Sequence, residues 1–403
     1  MVELSDVEAA QARIRDRVYL SPCARSETLS RLSGTEAYLK LENLQMTGSF
    51  KERGALNRLL ILEPAARERG LIAASAGNHA QGVAYHAGRL GIPTTIVMPE
   101  TTPIIKVAST RGHGARVILH GGGYDEAYSE ARRIEQAEGL SFIHPFDDPG
   151  VIAGQGTVGL ELFEQVPELE AVVVPIGGGG LVAGIGVALK ARRPGLRVIG
   201  VQTELLPSMQ AALEAGKPVT LDAAQTLADG IAVKRAGDLT LALAKRVVDE
   251  VVTVSEEEIA SAILYLLEKE KTVVEGAGAV AVAALMHHRP SGLSGKRVVS
   301  VISGGNIDVN LVARVIERGL VKDGRLVRIR VALLDKPGQL ARVSSIVATH
   351  RANVIEVHHT RAFATRFGDT TLQLTLETRG PEHVQEILQA LRERGYVVEQ
   401  IGI

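Results

Sequence analysis

"AVVVPIGGGGLVAGIGVAL", residues 171–189, is the stretch on which the fold turns. It carries no charge, one proline and six glycines. An uncharged run of this length is nearly long enough to cross a bilayer. The proline and the glycine cluster divide it, however, and predict a buried strand, a glycine turn and a buried helix. A strand that feeds a helix in this way is the building unit of a parallel α/β sheet.

The same texture extends on both sides. Apolar runs suited to buried strands occur at "AYLKLE" (37–42), "LIAAS" (71–75), "TTIVMP" (94–99), "RVILH" (116–120), "RVIGVQ" (197–202) and "RVVSVIS" (297–303). Amphipathic segments such as "HAQGVAYHAGRLG" (79–91) and "DEAYSEARRIEQAEG" (125–139) lie between them. The alternation predicts right-handed crossovers and open parallel sheets covered on both faces. Ligands of such sheets bind beyond the carboxyl ends of the strands, so the loops after these strands are where chemistry is expected.

The pattern changes near "VKDGRL" (321–326). "VRIRVAL" (327–333) alternates apolar and polar residues. A helix at 338–350, strands at 353–362 and 370–378, a helix at 381–395 and a strand at 396–401 follow. This is βαββαβ on one-sided strands. It predicts a first region over 1–320, a linker at 321–326 and a second domain over 327–403.

Bulk composition narrows the function classes. The 403 residues are 45% hydrophobic and 23% charged, with a formal net charge of -1, which is ordinary for a globular protein and gives no electrostatic footprint for nucleic acid or an anionic membrane. Cys23 is the only cysteine, so neither an intrachain disulfide nor a cysteine metal cluster is expected. With an N-terminal stretch that has no apolar signal core, this predicts a cytoplasmic protein without a membrane partner. The paired histidines at 287–288 and 358–359 do not have the spacing of a metal site.

Four loops carry candidate chemistry. "LQMTGSFKERGA" (44–55) places Lys51 behind small residues and Phe50. Burial beside the phenyl ring would lower the lysine pKa and make a nucleophile, or hold the amine as an imine; a surface lysine opening a helix is the bland alternative. "SAGNHAQG" (75–82) opens a helix whose first N–H groups, at Gly77, Asn78 and His79, form a seat for a carboxylate, unless Asn78 is only a cap. "PIGGGGL" (175–181) lets the backbone wrap a phosphate. It has neither a P-loop lysine nor a dinucleotide fingerprint. "SVISGGN" (300–306) ends a strand at Ser303, whose hydroxyl could meet a ring nitrogen or merely cap a turn. Together they supply an amine, an anion seat, a phosphate cup and a polar contact.

In this combination and order, with "HPFDDPGVIAGQGT" (144–157), the chain over residues 5–320 resembles the threonine dehydratases, which are fold type II pyridoxal phosphate enzymes with a tryptophan-synthase-β-like fold. The resemblance implies two open parallel-sheet subdomains, the smaller (about 45–150) inserted in the larger. It implies that Lys51 carries pyridoxal phosphate as an imine and that Phe50 lies against it. Asn78 would touch the ring hydroxyl, and Gly177, Gly178, Gly179, Gly180 and Leu181 would hold the phosphate. Ser303 would meet the ring nitrogen, while Ser75, Gly77, Asn78 and His79 would cradle the substrate carboxylate. The implied reaction is deaminating dehydration of L-threonine to 2-oxobutanoate, and of L-serine more weakly. Racemases of the family carry a serine where this chain has Ala76, so racemisation is expected to be minor. Their divalent-metal carboxylates fall on Gln202 and Ser208, so no divalent metal is expected, and a monovalent ion is left open. The tail resembles an ACT domain. That implies an amino-acid effector, isoleucine or valine, at Asp335, Gly338, Gln339, Leu340, Asn353 and Val354, and a homodimer or homotetramer.

Overall fold

The computed structural model describes residues 1–360 and 369–401. The chain divides into two compact units, Met1–Asp308 and Val309–Ile403.

Ten strands build the first unit. They are β1 (Cys23–Arg25), β2 (Glu36–Leu41), β3 (Leu71–Ala74), β4 (Thr94–Met98), β5 (Arg116–Leu119), β6 (Ser141–Phe142), β7 (Ala171–Pro175), β8 (Arg197–Thr203), β9 (Glu250–Val254) and β10 (Arg297–Ile302). They form a six-stranded sheet in the order β1-β2-β10-β7-β8-β9 and a four-stranded sheet in the order β5-β4-β3-β6. All pairings are parallel except β1 with β2. The chain leaves the large sheet after β2, builds the whole small sheet, and returns at β7.

The stretch 171–189 folds as its composition predicts. Every residue of β7 is buried, as a central strand of a doubly covered parallel sheet requires. The helix Gly180–Arg192 is buried all round through Leu189 and packs on the helix Pro149–Gln165. Among the described residues no helix is long and apolar enough to cross a membrane. Val172, Val174, Ile176, Ile185, Val198 and Val301 belong to the core of the large sheet. Leu59, Leu71, Ala73, Val83, Ile96 and Ile143 belong to that of the small one.

A charge network lies beneath both. Arg53 on the helix Lys51–Leu60 is fully buried and pairs with Glu42 at 2.7 Å and with Glu161 at 2.6 Å. Lys40 on β2 also reaches Glu161, at 2.6 Å. Burial alone would raise the Glu42 carboxyl; Arg53 overrides that and holds it below the usual carboxylate range. Two cations thus face two anions, the balance that permits ions to be buried at all.

In the second unit a helix, Val309–Lys322, precedes the βαββαβ run. The strands are β11 (Leu326–Leu334), β12 (Asn353–Thr360), β13 (Asp369–Glu377) and β14 (Val397–Ile401), in the antiparallel order β12-β13-β11-β14. Alternate residues of β11, namely Val327, Ile329, Val331 and Leu333, turn inward onto the helices Gln339–Thr349 and Pro381–Glu393. Residues 361–362 of the expected second strand lie outside the described residues.

Candidate active site

The four loops singled out in the sequence follow β2, β3, β7 and β10, at the carboxyl ends of parallel strands. The lysine loop and the Ser303 loop are stitched together directly. Phe50 N–H donates to the Ser303 carbonyl (3.1 Å) and Gly305 N–H to the Gly48 carbonyl (2.9 Å). Glu52 clamps the turn from below, its Oε2 accepting from Thr47 N (2.7 Å) and Thr47 Oγ1 (2.8 Å).

Lys51 is the first residue of its helix, so its side chain points away from the turns that follow. Its Nζ donates to the Pro145 carbonyl at 3.0 Å and stands 5.2 Å from the centre of the Phe50 ring. Burial pushes its pKa down to about 8, against a pull in the other direction from Glu275. An amine in this state is a competent nucleophile close to neutrality.

The asparagine loop opens the helix Asn78–Leu90. Ser75 Oγ accepts from Gly77 N (3.2 Å), and a Cβ added at Gly77 would meet no atom within 4 Å, so open space faces this turn. The His79 side chain is turned inward. It is 3% exposed, and its Nε2 meets the Ile143 carbonyl at 2.9 Å. A carbonyl only accepts, so the proton is on Nε2. Burial lowers the ring to about 3, and Nδ1 is left without a partner. His79 therefore contributes its backbone N–H to the helix mouth rather than a titrating ring.

The glycine turn is shaped by its neighbours. Gly179 has φ +98 and is the N-cap of the helix Gly180–Arg192. A side chain there would be strained. A Cβ at Gly178 would sit 2.3 Å from the Phe146 ring. Thr240 Oγ1 fixes the turn by donating to the Gly178 carbonyl (2.6 Å). Asp147 in turn accepts from Thr240 N (3.0 Å) and Asp238 N (3.1 Å), capping the helix Asp238–Val247. The N–H groups at the start of the helix Gly180–Arg192 suit a phosphate.

Ser303 is 3% exposed, and its hydroxyl makes one long bond, 3.3 Å, to the Ala277 carbonyl. Next to it lies a residue that the sequence analysis did not single out. Glu275, 5% exposed, accepts from Asn78 Nδ2 at 2.6 Å. Burial, with a contribution from Asp229, raises its carboxyl to about 7. The sequence does contain a signal for it, since Glu275 is the only Asp, Glu, Lys or Arg between Lys271 and Arg289. Asn306 was also passed over as an individual residue. Its Nδ2 donates to Asn78 Oδ1 (2.7 Å) and to the Thr47 carbonyl (2.8 Å).

The two positions at which racemase relatives are expected to carry metal carboxylates hold Gln202 and Ser208. Gln202 Oε1 accepts from Met209 N and Gln210 N, both at 3.0 Å. Ser208 Oγ is buried without a partner. In the second unit, Gly338 has φ +87 and caps the helix Gln339–Thr349. Leu340 is exposed, Gln339 accepts from Tyr396 Oη (3.2 Å) and Asn353 reaches Glu377 (3.3 Å). Val354 packs against the core of its own unit.

A lysine amine of lowered pKa, a glycine cradle at a helix start, an amide and a lightly engaged serine fit pyridoxal phosphate, which presents a carbonyl, a phosphate, a ring hydroxyl and a ring nitrogen. Comparison with known proteins agrees. Residues 14–304 match the family model of pyridoxal-phosphate dependent enzymes, and residues 327–395 match the ACT domain. The chain is 52% identical, over the whole of both chains, to an L-threonine ammonia-lyase of Thermotoga maritima. A solved threonine deaminase isoform 2 of Solanum lycopersicum superposes with a TM-score of 0.75 at 39% identity, over 78% of this chain and 91% of that one. A maize serine racemase superposes with a TM-score of 0.75 at 33% identity, over 80% and 98%. The chain belongs to the pyridoxal-phosphate dependent enzymes and carries a C-terminal ACT domain.

Proposed function

We propose, from that membership, that the enzyme deaminates L-threonine to 2-oxobutanoate and ammonia, and L-serine to pyruvate more slowly. The observation that carries the reading is Lys51. It is an amine withdrawn from water, lowered to about 8 and bonded to a neutral carbonyl, where the four loops meet. The full-length likeness to an L-threonine ammonia-lyase supports the substrate.

When bound, pyridoxal phosphate supplies the electron sink for the charge left at the substrate Cα. The remaining work falls to this chain. Lys51 would hold the cofactor covalently, and its Nζ, when free, would take the Cα proton. Gly177, Gly178, Gly179, Gly180 and Leu181 receive the phosphate, and Phe50 flanks the ring. Asn78 donates to the ring hydroxyl. Ser303 would offer the ring nitrogen a neutral partner, which would leave that nitrogen largely unprotonated and favour loss of the β-hydroxyl. Ser75, Gly77, Asn78 and His79 hold the substrate carboxylate at a helix start. Ala76 has no proton to deliver on the opposite face, which sets this site apart from a racemase.

The ACT unit is the regulatory part. Its ligand loop comprises Asp335, Gly338, Gln339 and Leu340, facing Asn353 and Val354. Isoleucine or valine are the effectors proposed, and pairing of ACT units in a dimer or tetramer completes the site. An effector acts by favouring one quaternary state. The single cysteine supports a cytoplasmic setting.

The test is 2-oxo acid release from the purified, cofactor-loaded enzyme given L-threonine, with and without isoleucine. Rapid 2-oxobutanoate formation that responds to isoleucine is expected. A yellow protein that releases no 2-oxo acid from threonine or serine would overturn the lyase reading.

A further inference from the structure

Glu275 is the N-cap of the helix Gly276–Met286, yet its side chain makes no capping bond to that helix. An acid at this position ordinarily satisfies its own N–H groups. Glu275 instead turns its carboxylate away and spends it on Asn78, 2.6 Å distant. Two features keep it there. Its backbone N–H donates to the Gly304 carbonyl (3.1 Å), and Gly304 has no side chain, since a Cβ would stand 2.3 Å from Glu275 Oε1.

The other end of the Asn78 amide is held as firmly. Asn306 Nδ2 donates to the Thr47 carbonyl and to Asn78 Oδ1. This run of bonds has a fixed direction. The Thr47 carbonyl can only accept, so Asn306 must present its NH2 group. Asn78 must then present Oδ1 to Asn306 and NH2 to Glu275, which accepts. Flipping either amide would set oxygen against oxygen. Thr47 sits on the lysine loop, so the polarity of the amide is read from the same loop that carries Lys51.

We infer that Glu275 and Asn306 are positioning residues that hold the Asn78 amide as a donor with one hydrogen left over for the ring hydroxyl of the cofactor. The inference rests on the reading that Asn78 meets that hydroxyl. A hydrogen bond to the hydroxyl oxygen changes its protonation and therefore the colour of the lysine-bound cofactor. This gives a readout separate from turnover.

The experiment is the absorption spectrum and the dissociation constant of pyridoxal phosphate for wild type, Glu275→Ala, Glu275→Gln, Asn306→Asp and Asn78→Ala, each checked for folding by circular dichroism. Glu275→Ala and Asn306→Asp are expected to shift the balance of the bound-cofactor bands and weaken binding about tenfold, the size of one lost polar contact. Glu275→Gln, which still accepts through Oε1, is expected to keep the wild-type bands. In an Asn78→Ala background, Glu275→Ala is expected to have no further effect on the spectrum. Wild-type bands and affinity in both Glu275→Ala and Asn306→Asp, with altered bands in Asn78→Ala, would overturn the inference alone. Wild-type bands in Asn78→Ala would overturn the contact between Asn78 and the cofactor, and the inference with it. Should Glu275→Ala not fold, Asn306→Asp carries the same test.

Discussion

Lys40 and Lys51 are both withdrawn from water in the same unit, and their surroundings differ in kind. Lys40 is fully buried and its Nζ has three acceptors: Glu161 at 2.6 Å, the Ser21 carbonyl at 2.8 Å and Gln165 at 2.9 Å. Those three match the three N–H bonds of an ammonium, and one of them is a carboxylate. Lys51 has one carbonyl and the face of a phenyl ring. Its pKa falls to about 8. A lysine given a full set of acceptors and a counter-ion becomes a structural bolt. A lysine given one neutral acceptor becomes a reagent. Residue type is shared; Lys40 is fully buried and Lys51 half-buried, and their acceptor sets differ.

The strongest way to break this comparison is at the reagent. Lys51→Ala is expected to abolish the colour of the bound cofactor and lower turnover by at least about 10⁴-fold, the loss of nucleophile and base together. Full activity in that variant would sink the mechanism. At the bolt, Lys40→Met should leave the Glu161 carboxylate partly uncompensated and destabilise the protein by about 3 kcal/mol. The denaturant midpoint reads this, and a change below about 1 kcal/mol would mean that the network is not holding Lys40 as described.

A subtler test asks what keeping the reagent costs. The folded pKa of Lys51 lies below its ordinary value, so the wild-type protein without cofactor is penalised at pH values below about 8, and the penalty disappears as pH rises through the ordinary lysine range. Lys51→Met should therefore stabilise the cofactor-free protein on the order of 2 kcal/mol at pH 7, a figure discounted for the half-buried position. The gain should shrink towards pH 10. Urea titrations at the two pH values check it, and an equal gain at both would assign it to packing instead. The smallest effect sharpens the contrast. Glu275 pulls the Lys51 pKa upward, so Glu275→Gln should lower it further. The pH dependence of cofactor attachment would show it, and no downward movement would exclude Glu275 as an influence on Lys51.

Much of this was readable before the fold was known. The four loops are written as unbroken motifs, and a parallel sheet sends the ends of its strands to one side, so their convergence follows from strand–helix alternation. The ACT unit was legible because β11 alternates so regularly. What escaped was non-local or short. The strands β1 and β6 have three and two residues, too few for a period to show. β9 was also passed over. Glu275 looks like a helix cap in the sequence, and its partner Asn78 lies 197 residues earlier. Asn306 and Asp147 likewise act on distant backbone, which no local pattern records.

The strand order carries a consequence for synthesis. β10 lies between β2 and β7, pairing Arg297 with Glu36 and Val298 with Ala171. Strands that lie far apart in sequence must therefore become neighbours late, when closing the intervening chain is costly. A ribosome has made both the lysine loop and the glycine turn long before it reaches Ser303. Until β10 slides between its neighbours, a nascent chain has the nucleophile and the phosphate cup but no wall to hold them together. Assembly of the four loops into one site is therefore expected only once the catalytic unit has been translated to its last strand.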